Sequence, residues 1–382
     1  MRKELESVVY NDINQPRSVR QLSSNEFRVC SVDEQLTYIA ALAHLAPSSH
    51  NTQPWRFALD EKKRTITVYL NRTSVLPASD ITGRQAVISV GCSIAHMLLV
   101  GEFYGMSPVV KMHNIKQKAV RPLTPKLHGS KKAFALLSTI HFKKPVESPR
   151  PSSATSSEFH AILLRKVVRA EFDASKSIPD TVIFALKKIA NTKNTKLHVI
   201  TDSARRSMLA ELQAQADGFV INDPAFTKEL GVWLLPNDTT SRVGIPGIGF
   251  GLQDQEALRL HRGLAGIAPL EPEDGLKFAI AGKRSIETSP AICLLTIKKD
   301  DPASWLDAGR VFEQMFLSLM ANDIQVAIHA GIVEVPLINR MFAATLGIPQ
   351  QLAVLFRIGL VKDPRNLSRP YSPRLPLSAI MI

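Results

Sequence analysis

Two long apolar stretches constrain what this 382-residue chain can fold into: QAVISVGCSIAHMLLVGEFYGM (Gln85–Met106) and WLDAGRVFEQMFLSLMANDIQVAI (Trp305–Ile328). The first is interrupted by Ser89, Ser93, His96 and Glu102, which suits a buried helix better than a membrane span. The same order of elements recurs around each. Ahead of the first come VDEQLTYIAALAHLA (Val32–Ala46), apolar at helical spacing with Asp33 near its N-cap, and the β-branched strand TITVYL (Thr65–Leu70); AFALLSTIHF (Ala133–Phe142) closes the half. Ahead of the second come the helix IPDTVIFALKKIA, with Pro179 in its first turn, and the strands KLHVIT and AICLLTI; QLAVLFRIGLV closes it. This order predicts an α+β fold of two tandem related units, each a central sheet flanked by helices, with long central helices.

The run KKPVESPRPSSATSSEF, rich in Pro and Ser and without apolar period, reads as the joint between the units. The expected boundaries are residues 1–145 for the first unit, 146–159 for the linker and 160–382 for the second. Residues 203–284 have no counterpart in the first half and are expected as an insertion, Gly- and Pro-rich at VGIPGIGFG, able to form a cover.

A net charge of +13 fits nucleic acid, an anionic surface or a phosphorylated ligand. The basic residues are spread thinly, without aromatic interleaving, so neither nucleic acid nor membrane is the expected partner. Cys30, Cys92 and Cys293 lie far apart with no paired spacing, which predicts no metal site and no disulfide framework. No signal-peptide core stands at the N-terminus, and the expected location is cytoplasmic.

Four places could carry chemistry. APSSHNTQPWRF (Ala46–Phe57) holds more small hydrogen-bonding side chains than a capped turn needs, so Ser48, Ser49 and Asn51 are candidate ligand contacts beside Pro47. Ser48 and Ser49 lack the strained glycine setting of a serine nucleophile, and His50 has no carboxylate beside it in sequence. Arg165 and Arg169, four apart, share a face if helical and form either a solvated basic surface or a phosphate clamp. Gly331, after the second long helix, allows close backbone approach or simply makes a turn. Arg374 sits in a tail whose LPLSAIMI is apolar enough to pack on the body.

APSSHNTQPWRF resembles the PSSxNxQPW segment of FMN-dependent nitroreductases. LLRKVVRAEFDASKSIP, AIHAGIVEVPLINRMFAATLGIP and SPRLPLS resemble, in the same order, that family's N-terminal basic segment, its ring-facing glycine turn and its C-terminal segment. Ordinary members are about half this long and bind FMN at a dimer interface. The resemblance implies a fused pseudo-dimer of the double-length, Acg-like branch, monomeric or paired again as a homodimer. One flavin site survives at the junction, because ANTKNTKLHV stands where a second PSSxN would be. It further implies that Arg165, Arg169 and Arg374 hold the phosphate. Pro47, Ser48, Ser49 and Asn51 then meet the ring edge and ribityl chain, and the Gly331 amide faces flavin N5. The flavin carries the chemistry and no side chain need be catalytic. NADH or NADPH is the expected electron donor and a nitroaromatic, quinone or similar small molecule the acceptor. The implied alternative is a flavin-sequestering protein whose insertion excludes nicotinamide. Two positions depart from the family pattern: Val167 replaces a hydroxyl residue, and Ser372 replaces a basic one.

Overall fold

The computed structural model describes residues 19–123, 130–370 and 372–382. In the first half, α1 (Ser24–Val29) and α2 (Val32–Ala43) each begin with a reciprocal Ser–Glu capping box. Ser31 is the α2 cap, and Asp33 lies near it, in the first turn. Then follow β1 (Trp55–Asp60), β2 (Thr65–Asn71), α3 (Arg84–Phe103), β3 (Val109–Met112) and β4 (Phe134–His141).

The second half opens with α4 (Ser153–Leu164) and α5 (Asp180–Ala190), leading to β5 (Thr195–Ile200). The insertion supplies α6 (Ser203–Asn222), α7 (Pro224–Trp233), the two-residue strands β6 (Leu234–Leu235) and β7 (Ile245–Pro246), α8 (Asp254–Leu264) and α9 (Pro272–Glu287). The half closes with β8 (Ala291–Ile297), α10 (Pro302–Met320), β9 (Gln325–His329), α11 (Gly331–Glu334), α12 (Pro336–Leu346) and β10 (Gln351–Gly359).

Both sheets are four-stranded and antiparallel, ordered β1-β2-β4-β3 and β5-β8-β10-β9. Within each half the spatial order is therefore first, second, fourth, third. Two sheets of unrelated origin have no reason to share this order together with a long helix between the second and third strands. The duplication seen in the sequence is present in the topology.

The halves share one core, running from Phe27, Tyr38 and Trp55 to Trp305, Phe312 and Phe356. Its centre is the crossing of α3 and α10. Gly91 and Gly309, each seven residues beyond the first residue of its helix, face one another there. A Cβ on Gly309 would sit 2.0 Å from the Ile88 carbonyl oxygen, and one on Gly91 2.3 Å from that of Leu306. The helix backbones touch because neither residue has a side chain. Gly309→Ala is expected to lower stability by about 1–3 kcal/mol through overpacking. Gly218→Ala is a control of opposite sign, since a Cβ at this α6 position meets nothing within 4 Å and helix propensity favours Ala by about 0.5–1 kcal/mol. Urea unfolding of both variants checks the pair. The α3 helix is long and apolar enough to cross a membrane, yet 83% of its apolar window is buried inside the protein.

The joint differs from the expected linker. Residues 153–159 are helical, because Ser152 caps Thr155 and Phe159 stacks on Phe103 with ring centroids 3.9 Å apart. A run of Ser and Thr hid a helix held by Phe159, Ala161 and Ile162 in the core. The C-terminal tail packs as its apolarity predicts: Leu377 and Ile380 are buried. It also crosses to the other half, where the Phe57 amide donates to the Ile380 carbonyl (2.8 Å) and the Ile382 amide to that of Phe57 (2.9 Å).

Candidate functional site

The PSSHNTQPW turn is held in a backbone conformation that non-glycine residues avoid. His50, Asn51 and Gln53 have φ of 47°, 56° and 50°, each costing on the order of 1 kcal/mol. Such strain persists only where surroundings impose it, and here the other half of the chain does so. Arg374 donates from Nε to the His44 carbonyl (3.0 Å), from its terminal nitrogens to those of Leu45 and Ala46 (2.9 Å each), and to Asn51 Oδ1 (2.8 Å). These carbonyls end α2, so a buried guanidinium caps the helix terminus and pins the turn that follows. Ser48 Oγ accepts from the Gln53 amide (3.0 Å), and Trp55 Nε1 donates to His44 Nδ1 (2.8 Å). The His44 proton is therefore on Nε2, which meets the Leu375 carbonyl at 2.9 Å.

Arg165 is turned inward as well. The helix expected to present it beside Arg169 ends at Leu164, and the following residues extend along the sheet edge, where Val167 bridges Val326. The Arg165 side chain is 1% exposed. It donates to the Leu45 carbonyl (2.6 Å), lies 3.1 Å from Glu313 Oε1 and sits over Phe316. Glu313 also meets His96 Nε2 at 2.7 Å, and His96 Nδ1 meets the Leu42 carbonyl at 2.9 Å. Arg165, Glu313 and His96 thus form a buried strut between α10, α3 and the end of α2. The helical face expected to present Arg165 and Arg169 together as a clamp does not form, and the guanidiniums of Arg165 and Arg374 both meet backbone carbonyls behind the cavity wall.

Arg169 is placed differently. Its guanidinium lies 4.7 Å from the Phe250 ring centroid, and its backbone carbonyl accepts from Arg369 (3.0 Å). Burial, with Arg369 adding repulsion, lowers its pKa to about 10. The two arginines are held together with no ion-pair partner within 4 Å among the described residues, an arrangement that attracts anions. Arg369 escaped the sequence reading, although its setting, SRPYSPR, repeats that of Arg374. His50 is nearby: burial first, then Arg169, pushes it down to about 4, and its Nδ1 is buried without a partner among the described residues. It is a neutral imidazole.

These groups line one cavity. Pro47, Ser48 and Asn51 come from the first half, and Arg165, Arg169, Arg369, Ser372 and Arg374 from the second. Ile245, Pro246, Ile248 and Gly249 of the insertion close it, leaving about 60 Å³. The signature turn itself holds this cover: Asn51 Nδ2 donates to the Gly244 carbonyl (3.2 Å) and Gln53 Nε2 to that of Arg242 (2.7 Å).

Two expected residues are not on the cavity lining. Ser49 Oγ donates to Gln85 Oε1 (2.7 Å), and Gln85 Nε2 to Glu334 Oε1 (2.7 Å), a chain of contacts that no local motif announces. Burial raises Glu334 to about 8. Gly331 packs under α6, where a Cβ would lie 2.8 Å from Gln213 Nε2 and 3.1 Å from Asp217 Oδ1. Among the described residues, no cluster of three or more His, Cys, Asp or Glu is placed to hold a metal ion.

A double-length chain with one composite cavity at the junction of its duplicated halves defines the class of protein to which this one is to be compared. No family model matches the chain. It is similar to two Mycobacterium tuberculosis proteins of like length. One, uncharacterized, is 26% identical over 345 residues, covering 89% of this chain and 90% of that protein. The other, named "Putative NAD(P)H nitroreductase acg", is 24% identical over 342 residues, covering 89% and 92%. The likeness to the double-length Acg-like proteins therefore runs along nearly the whole chain. Among solved structures, the FMN-dependent nitroreductase NfnB from Mycobacterium smegmatis in complex with NADPH matches 59% of this chain and 96% of its own, at 18% identity and a TM-score of 0.38. An oxidized iodotyrosine deiodinase bound to FMN and 3-iodo-L-tyrosine matches 57% and 95%, at 15% identity and a TM-score of 0.34.

Proposed function

We propose that the chain binds FMN at this junction and works as an NAD(P)H-dependent oxidoreductase on a nitroaromatic, quinone or similar small acceptor. The observation that carries the reading is the convergence of Pro47, Ser48 and Asn51 with Arg169 and Arg369 from the opposite half of the chain. The donor set fits the cofactor: two guanidiniums without a carboxylate suit the phosphate, and small hydroxyl and amide groups suit the ribityl chain and ring edge. Arg165 and Arg374 stand behind them and fix the turn. FMN supplies the hydride and electron chemistry when bound. The chain's own tasks are to neutralise the phosphate, orient the ring edge and keep water away. His50, neutral above about pH 4, adds an acceptor without adding charge. Gly331 keeps its place in this reading as the helix-starting glycine a ring approaches once Gln213 and Asp217 of the insertion withdraw. The cover at Ile245, Pro246, Ile248 and Gly249 must also withdraw, since about 60 Å³ remains and ligand pockets hold roughly 300–1,000 Å³.

The purified protein incubated with FMN and desalted is expected to stay yellow and to bleach on adding NADH or NADPH. A protein that retains no flavin overturns the reading. A second reading, flavin sequestration without turnover, is favoured by the hydrogen bonds from Asn51 and Gln53 that tie the cover down. Its mark is a flavin that dithionite reduces and neither nucleotide does.

A further inference from the structure

The duplication makes β1 and β5 equivalent: each is the first strand of its half and the outermost strand of its sheet. Their outer edges differ. The β1 edge is occupied by residues 380–382, which add to it in parallel around Phe57. By the same symmetry the tail of the first half belongs on β5. That tail instead continues past Phe142 into the joint and α4, so fusion of the halves has used the segment that equivalence places there. Among the described residues, β8 is the only strand paired with β5.

What lies along β5 is a groove of about 470 Å³. Leu346 and Ile348 contribute an apolar floor, and Lys187, Lys196, His198 and Arg205 a basic wall. No carboxylate lines it; the nearest ion pair is a loose one, Arg205 to Asp202 at 3.8 Å. An outer strand offers backbone donors and acceptors to any extended chain laid beside it, and the surrounding charge selects which chain. A second copy is a poor occupant, since it brings the same basic wall and a net charge of +13.

We propose that the β5 edge is a docking groove for an extended, acidic polypeptide segment of another protein, which adds to the second sheet as residues 380–382 add to the first. The backbone supplies the pairing; Lys187, Lys196 and Arg205 supply the preference for carboxylates. This rests on the duplication and is independent of flavin binding. The competing account is that the lysines only guard the edge against aggregation, as charged residues on outer strands do.

The test uses the full chain and a short fluorescein-labelled peptide alternating glutamate and valine, followed by fluorescence anisotropy at low salt. Saturable binding is expected, with slowed amide hydrogen exchange at Lys196–Ile200. Lys196→Glu or Arg205→Glu, both at exposed positions, is expected to weaken it about tenfold or more. The same peptide with alternate backbone nitrogens methylated is expected not to bind, because strand pairing is blocked while charge is unchanged. Absence of saturable binding overturns the proposal in favour of the guarding role. Equal binding of the methylated peptide, or full competition by tripolyphosphate, overturns it in favour of simple anion attraction. A dimer that tightens in Lys196→Glu assigns the edge to a second copy and overturns it too.

Discussion

Replacing Arg169 and Arg369 together by alanine is expected to reduce FMN affinity by about a hundredfold or more while leaving the fold intact. Hydrogen bonds to charged groups contribute about 1.5–3 kcal/mol each, and about 1.4 kcal/mol is a factor of ten in affinity. Two lost phosphate contacts therefore amount to roughly 3–6 kcal/mol. The fold is spared because neither side chain holds the core: Arg169 lies on the Phe250 ring, and Arg369 donates to a backbone carbonyl at the cavity wall. Arg169 stays charged at neutral pH even with its pKa lowered to about 10. Flavin fluorescence titration with a circular dichroism melt reads both quantities. Unchanged affinity in the double variant would falsify the phosphate assignment.

The opposite pattern is expected at Glu313. Glu313→Ala leaves the Arg165 guanidinium, 1% exposed, without its carboxylate, and breaking a buried pair by removing one partner costs about 3–5 kcal/mol. Domain stabilities are about 5–15 kcal/mol, so the variant is expected to unfold at much lower urea. The loss is one of desolvated charge and not of volume. Replacing Arg165 by Met and Glu313 by Leu together should therefore recover most of it, since apolar residues of similar size substitute well for buried pairs. A Glu313→Ala variant as stable as the parent would show that the strut does not hold the halves together.

The different fates of the arginines show where sequence reading stops. The signature turn was legible because its surplus of polar side chains is local, and the duplication because long apolar helices leave an unambiguous period. Arg165, Arg169 and Arg374 were legible as a basic set converging on the turn, but not as three separate fates. Arg165 turns inward because Glu313, far along the chain on α10, meets it; Arg374 does so because the carbonyls ending α2 are there to be capped. No pattern around an arginine records where its partner will lie. The short strands β1 and β3 escaped for a different reason: Arg56 and Asp60 dilute the alternation of one, and four residues are too few to show it in the other. The helical end of the joint was masked by composition, since Ser and Thr mark loops more often than helices.

The tail that crosses to β1 also bears on how the chain matures. Domains of a growing chain commonly fold in order as they leave the ribosome. The first half cannot finish in that way, for its outer strand is completed by Ile380 and Ile382, and its strained turn is pinned by Arg374. These residues follow the whole of the second half's sheet in the chain. The site's most distinctive turn therefore reaches its final shape only after the second half has been made, and a distant segment acts as the closing step for the first half.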